Sequence, residues 1–516
     1  MPPTTQPPVR LDSSALAIDD VLSVARHNRA VELTPDAQGR VRESRHALED
    51  CLSDGQPHYG INTGFGSLAR QRIGDADLAT LQRNLIVSHA AGIMEPFPDD
   101  VVRATMLLLA ASLARGRSGV RVELVTQIVE MLNRGVTPIV PSVGSVGASG
   151  DLAPLAHIAQ VALGEGRARV AGVELSGDEA LARVGLSPIV LAAKEGLALI
   201  NGTHLMAART ALLLADLDNV LDAALIATAM SIDAARATDA FLDPRLHEAR
   251  NQQGQQRVAS VLAALLKGST IITSHRENDT RVQDPYSFRC APQVVGAALD
   301  AITHARVIVE RELGAVTDNP LVFDKDSILS GGNFHGMPMA IQLDCLAIAL
   351  AHIAGIAERR LFWILSAFDK DAGLPPYLAP AGRAGVCSGL MIAQYTAAAC
   401  VNELVGLANP ASVANIPTGA EIEDYNSFGP RSAAKATRAL DLVRHVVAIE
   451  LMTGAEAIER HAPHTTSDAL RRAIGVVRTH VDPWADDRSP APDMSRLASA
   501  ISRGEFAALQ LTPSPL

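Results

Sequence analysis

From Pro188 onward the chain is dominated by long, alanine-rich runs in which apolar residues recur at i, i+3 and i+4. VLAAKEGLALI, LMAARTALLLADLDNVLDAALIATAM, VASVLAALL, VVGAALDAITHARVIVERELGAV and MAIQLDCLAIALAHIAGIAERRLFWIL all carry that spacing, and several approach twenty residues or more. The period is that of a helix with one buried face, and small side chains let such helices approach closely. Hydrophobic residues make up 48% of the 516, but aromatics only 3%, so the apolar mass is Ala, Leu, Val and Ile. This composition favours packed helices over a sandwich or barrel. The expected fold class is mainly α: a long-helix bundle over 201–480, a smaller and more loop-rich N-terminal part over 1–200, and a C-terminal linker and helix over 481–516.

Within the N-terminal part, residues 1–9 are Pro/Thr-rich and read as disordered, and 13–53 contains polar helical segments. Helical spacing returns from Leu78 to Ala114, with Gly116 placed to end the helix, and again over 119–134. Residues 168–176 could form a short hairpin. The segment from Pro483 to Pro492 reads as a linker to a last helix near 494–509. Six polar segments interrupt the helices: 58–67, 142–154, 200–204, 281–293, 330–339 and the acidic 417–430. Functional residues gather in loops held by rigid elements, so these are where chemistry is sought.

Composition narrows the function classes. The formal charge of -11 is spread without a basic block, which argues against nucleic acid or an anionic membrane as partner. Cys51, Cys290, Cys345, Cys387 and Cys400 are an odd, scattered set with no CxxC, so neither a disulfide framework nor a thiolate metal site is expected. MPPTTQPPVRLD has no apolar core of the secretion-signal kind, and apolar runs such as Met106–Ala111 are about half a membrane span, so a cytoplasmic protein is expected.

The segment from Gly144 to Pro154, GSVGASGDLAP, is the most unusual loop. Its glycines open backbone conformations closed to other residues. Asp151 suits a helix N-cap and Pro154 the first turn. The segment could be a plain capped turn. It lacks the GK[ST] of a phosphate loop, and Ser149 lacks the glycine two positions later that a nucleophile elbow needs. A sharper possibility is intramolecular. In a compressed turn the Gly150 amide nitrogen can attack the Ala148 carbonyl carbon. Loss of two waters then leaves a five-membered ring whose exocyclic methylidene derives from Ser149. Small neighbours permit that approach, and the product is an electrophile no ordinary side chain supplies.

On GSVGASGDLAPLAH at 144–157 the chain resembles the histidine and aromatic amino-acid ammonia-lyases and aminomutases, and the likeness runs from about Tyr59 to about Leu451. The resemblance implies an ammonia-lyase/fumarase-like helical fold and a methylidene-imidazolone (MIO) group formed autocatalytically from Ala148, Ser149 and Gly150, with no external cofactor and no metal. It also implies a small amino-acid substrate and a homotetramer with shared active sites. YGINTGFG at 59–66 resembles the family's mobile loop, which makes Tyr59 the catalytic base. A free phenol titrates near ~10, so that role requires a lowered pKa or a well-matched partner. Asn201, in Asn201-Gly202-Thr203, takes a place near the ring or the substrate carboxylate. In QDPYSFRC at 283–290 the resemblance gives Arg289 the α-carboxylate, Tyr286 a position beside the amine and the ring, and Gln283 a place nearby. A guanidinium grips a carboxylate bidentately. SGGNFHG at 330–336 matches a family segment in which Phe334 packs beside the electrophile, and Asp318-Asn319-Pro320 is a structural marker.

Substrate choice is read from two places. Ser88-His89 occurs as in the histidine enzymes, and Glu423 falls where they carry a glutamate, so His89 and Glu423 together could bind an imidazole through both nitrogens. That favours L-histidine, with urocanate as product. Departures leave room for others: Glu421-Ile422 replaces a usual Asn-Gln, Tyr425 a usual His, Met337 an acidic residue and Val143 a basic one. A tyrosine or phenylalanine ammonia-lyase, a related aminomutase or a lyase for a modified histidine remains open. From other classes, so do a serine hydrolase and a catalytically silent helical assembly protein.

Overall fold

The computed structural model describes residues 6–53, 56–58, 60–64, 73–74, 77–277, 279 and 281–509. The chain divides into two compact units, one of residues 1–215, 306–343 and 410–434, the other of 216–305, 344–409 and 435–516. Each is assembled from segments far apart in sequence.

The first unit mixes helices with short strands. Val9–Leu11 pairs in parallel with Val31–Leu33, in register Val9 to Val31 and Leu11 to Leu33, with helix Ile18–His27 between them. Val9, at the end of the segment expected to be disordered, is instead in a strand, anchored by its buried side chain. Helix Pro35–Leu52 starts on Thr34, whose hydroxyl accepts from the Ala37 amide, with Pro35 in the first turn. The helical stretch expected over 78–114 is broken into Leu78–His89 and Asp99–Ala114, because Ile93–Pro96 leaves to pair with Pro141–Val143. Helix Asp99–Ala114 is buried on every side from Val102 to Ala114 and is the spine of this unit. The chain turns at Gly116 as expected. Val136–Pro138, Arg167–Val170 and Val173–Ser176 form an antiparallel sheet whose last two strands are the anticipated hairpin. Leu48, Ile61, Ala193 and Val322 form a local core that ties the segment around Ile61 to the hairpin Leu321–Leu329.

The second unit is helical. Its long helices include parts of His204–Ala234, Ala291–Glu312, Met337–Ser366 and Gly429–Glu459. Along their buried faces alanines alternate with Leu, Ile and Val, as in Ala223, Ala227, Ala354, Ala357, Ala448 and Ala455. Helix Met337–Ser366 is long and apolar enough to cross a membrane, but 61% of that window is buried within the protein. It also carries Arg360, whose guanidinium meets Glu450 at 2.6 Å and Thr228 Oγ1 at 3.0 Å. A fully buried charge is tolerable only when paired in this way. Lys435 and Asp344 make a second interior pair at 2.8 Å. The last helix runs Ala491–Ser502, three residues earlier than the spacing suggested, because it begins directly on Pro490 with Pro492 in its first turn.

Candidate functional site

Ser149 lies on the loop between strand Pro141–Val143 and helix Leu152–Ala162. Backbone contacts from two distant segments hold this loop. The Phe428 amide donates to the Val146 carbonyl at 2.9 Å and Ser427 Oγ donates to the Gly147 carbonyl at 2.8 Å. On the other side Gly202 runs alongside Gly150 as an isolated parallel bridge. The Asp151 amide donates to the Gly202 carbonyl at 2.8 Å, and the Gly202 amide to the Ser149 carbonyl at 3.4 Å. Two glycines are obligatory here. Gly147 (φ +70°) and Gly150 (φ +73°) occupy the left-handed region, and a side chain at either would collide with a fixed group, Ser427 Oγ at the first and the Gly202 carbonyl oxygen at the second. The loop is thus clamped on both sides, with Ser145 Oγ closing it internally on the Gly150 carbonyl at 3.1 Å.

The Ser149 hydroxyl donates to Glu423 Oε1 at 2.8 Å, and the other carboxylate oxygen accepts from Thr418 Oγ1 at 2.9 Å. Glu423 is itself held by paired backbone hydrogen bonds with Thr418. The acidic loop 417–430 therefore delivers one carboxylate to Ser149. Sequence spacing could not reveal this contact, because 274 residues separate the partners.

Behind the loop is a buried polar group. Asp151 occupies the N-cap position of helix Leu152–Ala162 but makes no side-chain cap there. Its Oδ2 instead accepts from the Leu205 and Met206 amides, both at 3.0 Å, in the first turn of helix His204–Ala234. The expected cap is real but serves a different helix, one that ends its own orphan donors on this carboxylate. Burial raises the Asp151 pKa to about 7, against the opposing pull of those two amides and of Arg209. Burial lowers the neighbouring His204 to about 4, so it is neutral at physiological pH, and lowers Arg209 to about 10 despite Asp151. Thr203 donates its hydroxyl to Glu312, whose pKa burial raises and that hydrogen bond opposes. Asn201 Nδ2 reaches the Asn319 carbonyl at 3.4 Å, while its buried Oδ1 has no partner among the described residues. An orphaned buried acceptor beside Gly202 and Ser149 is costly and suits a site that expects a donor.

Asn319 organises the other wall. Its Oδ1 accepts from the Gly331 amide at 2.6 Å and its Nδ2 donates to Ser330 Oγ at 3.1 Å, while Asp318 is locked to the buried Lys194 at 2.6 Å. These contacts support the structural role expected of 318–320 and fix the start of the loop bearing Phe334. Phe334 itself is half-buried, and its neighbour His335 stacks on Tyr425 at 6.4 Å and bonds the Tyr425 carbonyl at 2.9 Å. Tyr425 is thus engaged with the 330–337 loop. Met337 starts helix Met337–Ser366, and Val143 is an exposed strand residue paired with Ile93.

His89 closes helix Leu78–His89. Its Nδ1 lies 2.8 Å from the Leu85 carbonyl, a group that can only accept, so Nδ1 is the donor in this contact and Nε2 lies outside it. Gly92, three residues on, abuts Gly144 at the start of the reactive loop and donates its amide to His157 Nε2 at 3.1 Å. Tyr59 lies outside the described residues. Its neighbours are tightly built: Asn62 Oδ1 accepts from the His58 amide at 2.6 Å, the Gly60 amide donates to Thr63 Oγ1 at 3.1 Å, and Ile61 is fully buried.

Gln283, Tyr286 and Arg289 form a separate cluster in the second unit. Helix Tyr286–Arg289 puts the phenol and guanidinium one turn apart, as anticipated. The Arg289 guanidinium lies 4.4 Å from the centre of the Tyr286 ring and donates to Gln283 Oε1 and to the Asp284 carbonyl, both at 2.9 Å. No carboxylate occupies the guanidinium among the described residues, so it is oriented yet uncommitted. The structure thus brings Ser149, Glu423 and the Asn201–Gly202 turn together, and groups Gln283, Tyr286 and Arg289. Asp151, Thr418 and Ser427 are the supporting residues that spacing did not single out for these roles.

Residues 16–479 match the family model described as aromatic amino acid lyase. A histidine ammonia-lyase from Symbiobacterium thermophilum is 47% identical over 503 residues, covering 97% of this chain and 98% of the relative. A histidine ammonia-lyase from Treponema denticola is 45% identical over 499 residues, covering 96% of this chain and 97% of the relative. The crystal structure of a tyrosine aminomutase from Streptomyces globisporus superposes with a TM-score of 0.91 at 33% identity, covering 98% of each chain.

Proposed function

Because the chain belongs to the aromatic amino acid lyase family, we propose that it eliminates ammonia without oxidation from L-histidine and releases urocanate. It is a carbon–nitrogen lyase. The fold alone does not choose the substrate, since an aminomutase shares it. The hydrogen bond from Ser149 to Glu423 carries the choice of histidine, because it puts a carboxylate acceptor beside the reactive position. An imidazole N–H can donate to that carboxylate, whereas a phenyl ring leaves it desolvated and without a donor. His89 is the second group we assign to the ring, at the imidazole's other nitrogen.

We assign the electrophile to an MIO group made from Ala148, Ser149 and Gly150. The clamped turn, the two left-handed glycines and the unpartnered Asn201 Oδ1 support that assignment. Such a group supplies an electron-poor alkene, which makes ammonia a better leaving group. The chain's own residues do the rest: Tyr59 takes the β-proton, Arg289 holds the α-carboxylate with Gln283 and Tyr286 beside it, and Asn201 offers its free acceptor to a donor at the site. Phe334 is assigned to the wall beside the electrophile. Fixing the carboxylate orients the β-carbon toward the base, a contribution of proximity rather than of charge.

A homotetramer with shared active sites fits the exposed Ile348, Phe362, Ile392, Tyr395 and Val405 on helices of the second unit, which are better buried against other copies than left in water. A cytoplasmic location completes the reading. The test is to offer purified enzyme L-histidine, L-tyrosine and L-phenylalanine separately and follow the ultraviolet band of each unsaturated acid together with ammonia release. Turnover of histidine well above the other two is expected. Turnover of tyrosine or phenylalanine with none of histidine would overturn the substrate assignment.

A further inference from the structure

In the first unit a cleft of about 470 Å³ opens between helix Pro35–Leu52, the segment after helix Asp99–Ala114, and the hairpin Leu321–Leu329. It shares no lining residue with the Ser149 loop. Arg40, Arg115, Arg117 and Lys325 contribute four cations to it. None has a carboxylate within ion-pair distance among the described residues, although Arg side chains elsewhere in the chain are widely paired.

The arginines are unusually poorly compensated. Arg40 Nε and Nη2 are buried with no acceptor among the described residues. Arg115 spends two donors on the Ala111 and Ser14 carbonyls, at 2.8 and 2.7 Å, and forms no ion pair among the described residues. Burial pushes the Arg115 pKa below its ordinary value; Asp12 opposes that shift and the like charge of Arg40 adds to it. Asp12 acts on both guanidiniums from beyond ion-pair distance, but Arg40 keeps donors unfilled in a partly desolvated place. The carboxylates that line the cleft do not pair with either guanidinium. Glu43 and Asp50 are exposed on the outer helix, and Asp324 Oδ1 is engaged by the Asp326 amide at 2.9 Å. At the rim the Phe323 ring is half exposed, with the Arg117 guanidinium 5.1 Å from its centre, so a flat apolar surface adjoins the cationic pocket.

We propose that this cleft is a binding site for a phosphate monoester, whose dianionic phosphate sits between Arg40 and Arg115 and whose organic part lies against Phe323. A dianion neutralises both guanidiniums with a single group, and its oxygens match the forked donors of arginine. The cleft is also larger than inorganic phosphate requires, which leaves room for the esterified group.

The test is calorimetric titration of the full-length enzyme at constant ionic strength, with phenyl phosphate and inorganic phosphate as probes. One saturable site per chain is expected, with phenyl phosphate binding more tightly. Arg40→Gln should weaken both probes by roughly tenfold or more, the loss expected for a charged hydrogen bond. Arg472→Gln, which removes an exposed charge elsewhere, should change neither. Arg117→Gln, at the exposed rim, should weaken phenyl phosphate selectively and guards against a folding defect in the Arg40 variant. Absence of saturable binding, or affinity that survives Arg40→Gln, would overturn the proposal. The second outcome would point to Arg289 as the anion site. Equal affinity for the two probes would overturn the part played by Phe323. Deamination of histidine is a separate readout, so failure here leaves the lyase assignment standing.

Discussion

Replacing Glu423 by glutamine probes the substrate assignment without altering shape. In the structure Oε1 accepts from Ser149 Oγ at 2.8 Å and Oε2 from Thr418 Oγ1 at 2.9 Å, so the side chain is held at both ends. The amide can keep one of these contacts through its carbonyl oxygen, but it loses the charge. In the proposed ring Ser149 has no hydroxyl, which would free Oε1 for a substrate donor. A hydrogen bond to a charged acceptor contributes about 1.5–3 kcal/mol against about 0.5–1.5 for a neutral one. The difference of about 1–1.5 kcal/mol corresponds to a fall in kcat/KM for histidine of roughly 5- to 13-fold. The assay is steady-state release of urocanate by Glu423→Gln, with the ring content of the protein checked by mass so that a maturation defect is not read as a binding defect. A fully matured variant with unchanged kcat/KM for histidine would refute the role given to Glu423.

Four further outcomes follow from the same geometry. Gly150→Ala puts a methyl group against the Gly202 carbonyl in a left-handed conformation, so the purified protein should keep its full unmodified mass and show no ammonia release. Asp151, with an ordinary value of 3.8 raised to about 7, favours its protonated form in the fold, so its contribution is present below pH 3.8 and lost as pH rises through 7. The difference in thermal or urea midpoint between wild type and Asp151→Asn should therefore shift across that window, in total by about 4 kcal/mol, and a pH-independent difference would contradict it. His204 runs the other way: lowered from 6.5 to about 4, it contributes stability above pH 6.5 that is lost as pH falls through 4, about 3 kcal/mol in all, and His204→Gln should remove that slope. Arg360→Met leaves Glu450 buried without its cation and should destabilise by about 3–5 kcal/mol, whereas the double change Arg360→Met with Glu450→Met should recover most of the loss in urea denaturation.

The reaction class was more legible in the sequence than the long-range contacts that assemble the candidate site. The run 144–157 pointed to Ser149 because its glycines and small residues suit a strained turn, and the structure supplies the reason for two of them in the Ser427 hydroxyl and the Gly202 carbonyl. Helical period located the long helices of the second unit, and the helical turn joining Tyr286 to Arg289 was legible from their spacing of three. Other features depend on contacts that no local pattern encodes. Asp151 read as a cap for the helix it precedes, yet its carboxylate serves helix His204–Ala234, because that helix's free amides point at it. Glu423 was marked only by the family resemblance, and its bond to Ser149 spans 274 positions. The break at 90–98 was missed because a strand of four residues is too short to disturb an apolar count taken over thirty-seven. Nor does linear order reveal that residues 306–343 and 410–434 return to the first unit.

The claim on which the chemistry rests is the covalent state of Ala148-Ser149-Gly150, and mass spectrometry of the intact enzyme and of the peptide spanning 144–157 tests it directly. The account predicts a peptide lighter than its encoded sequence by two waters, with the deficit absent in Ser149→Ala. An enzyme that deaminates histidine while this peptide keeps its full encoded mass would contradict it.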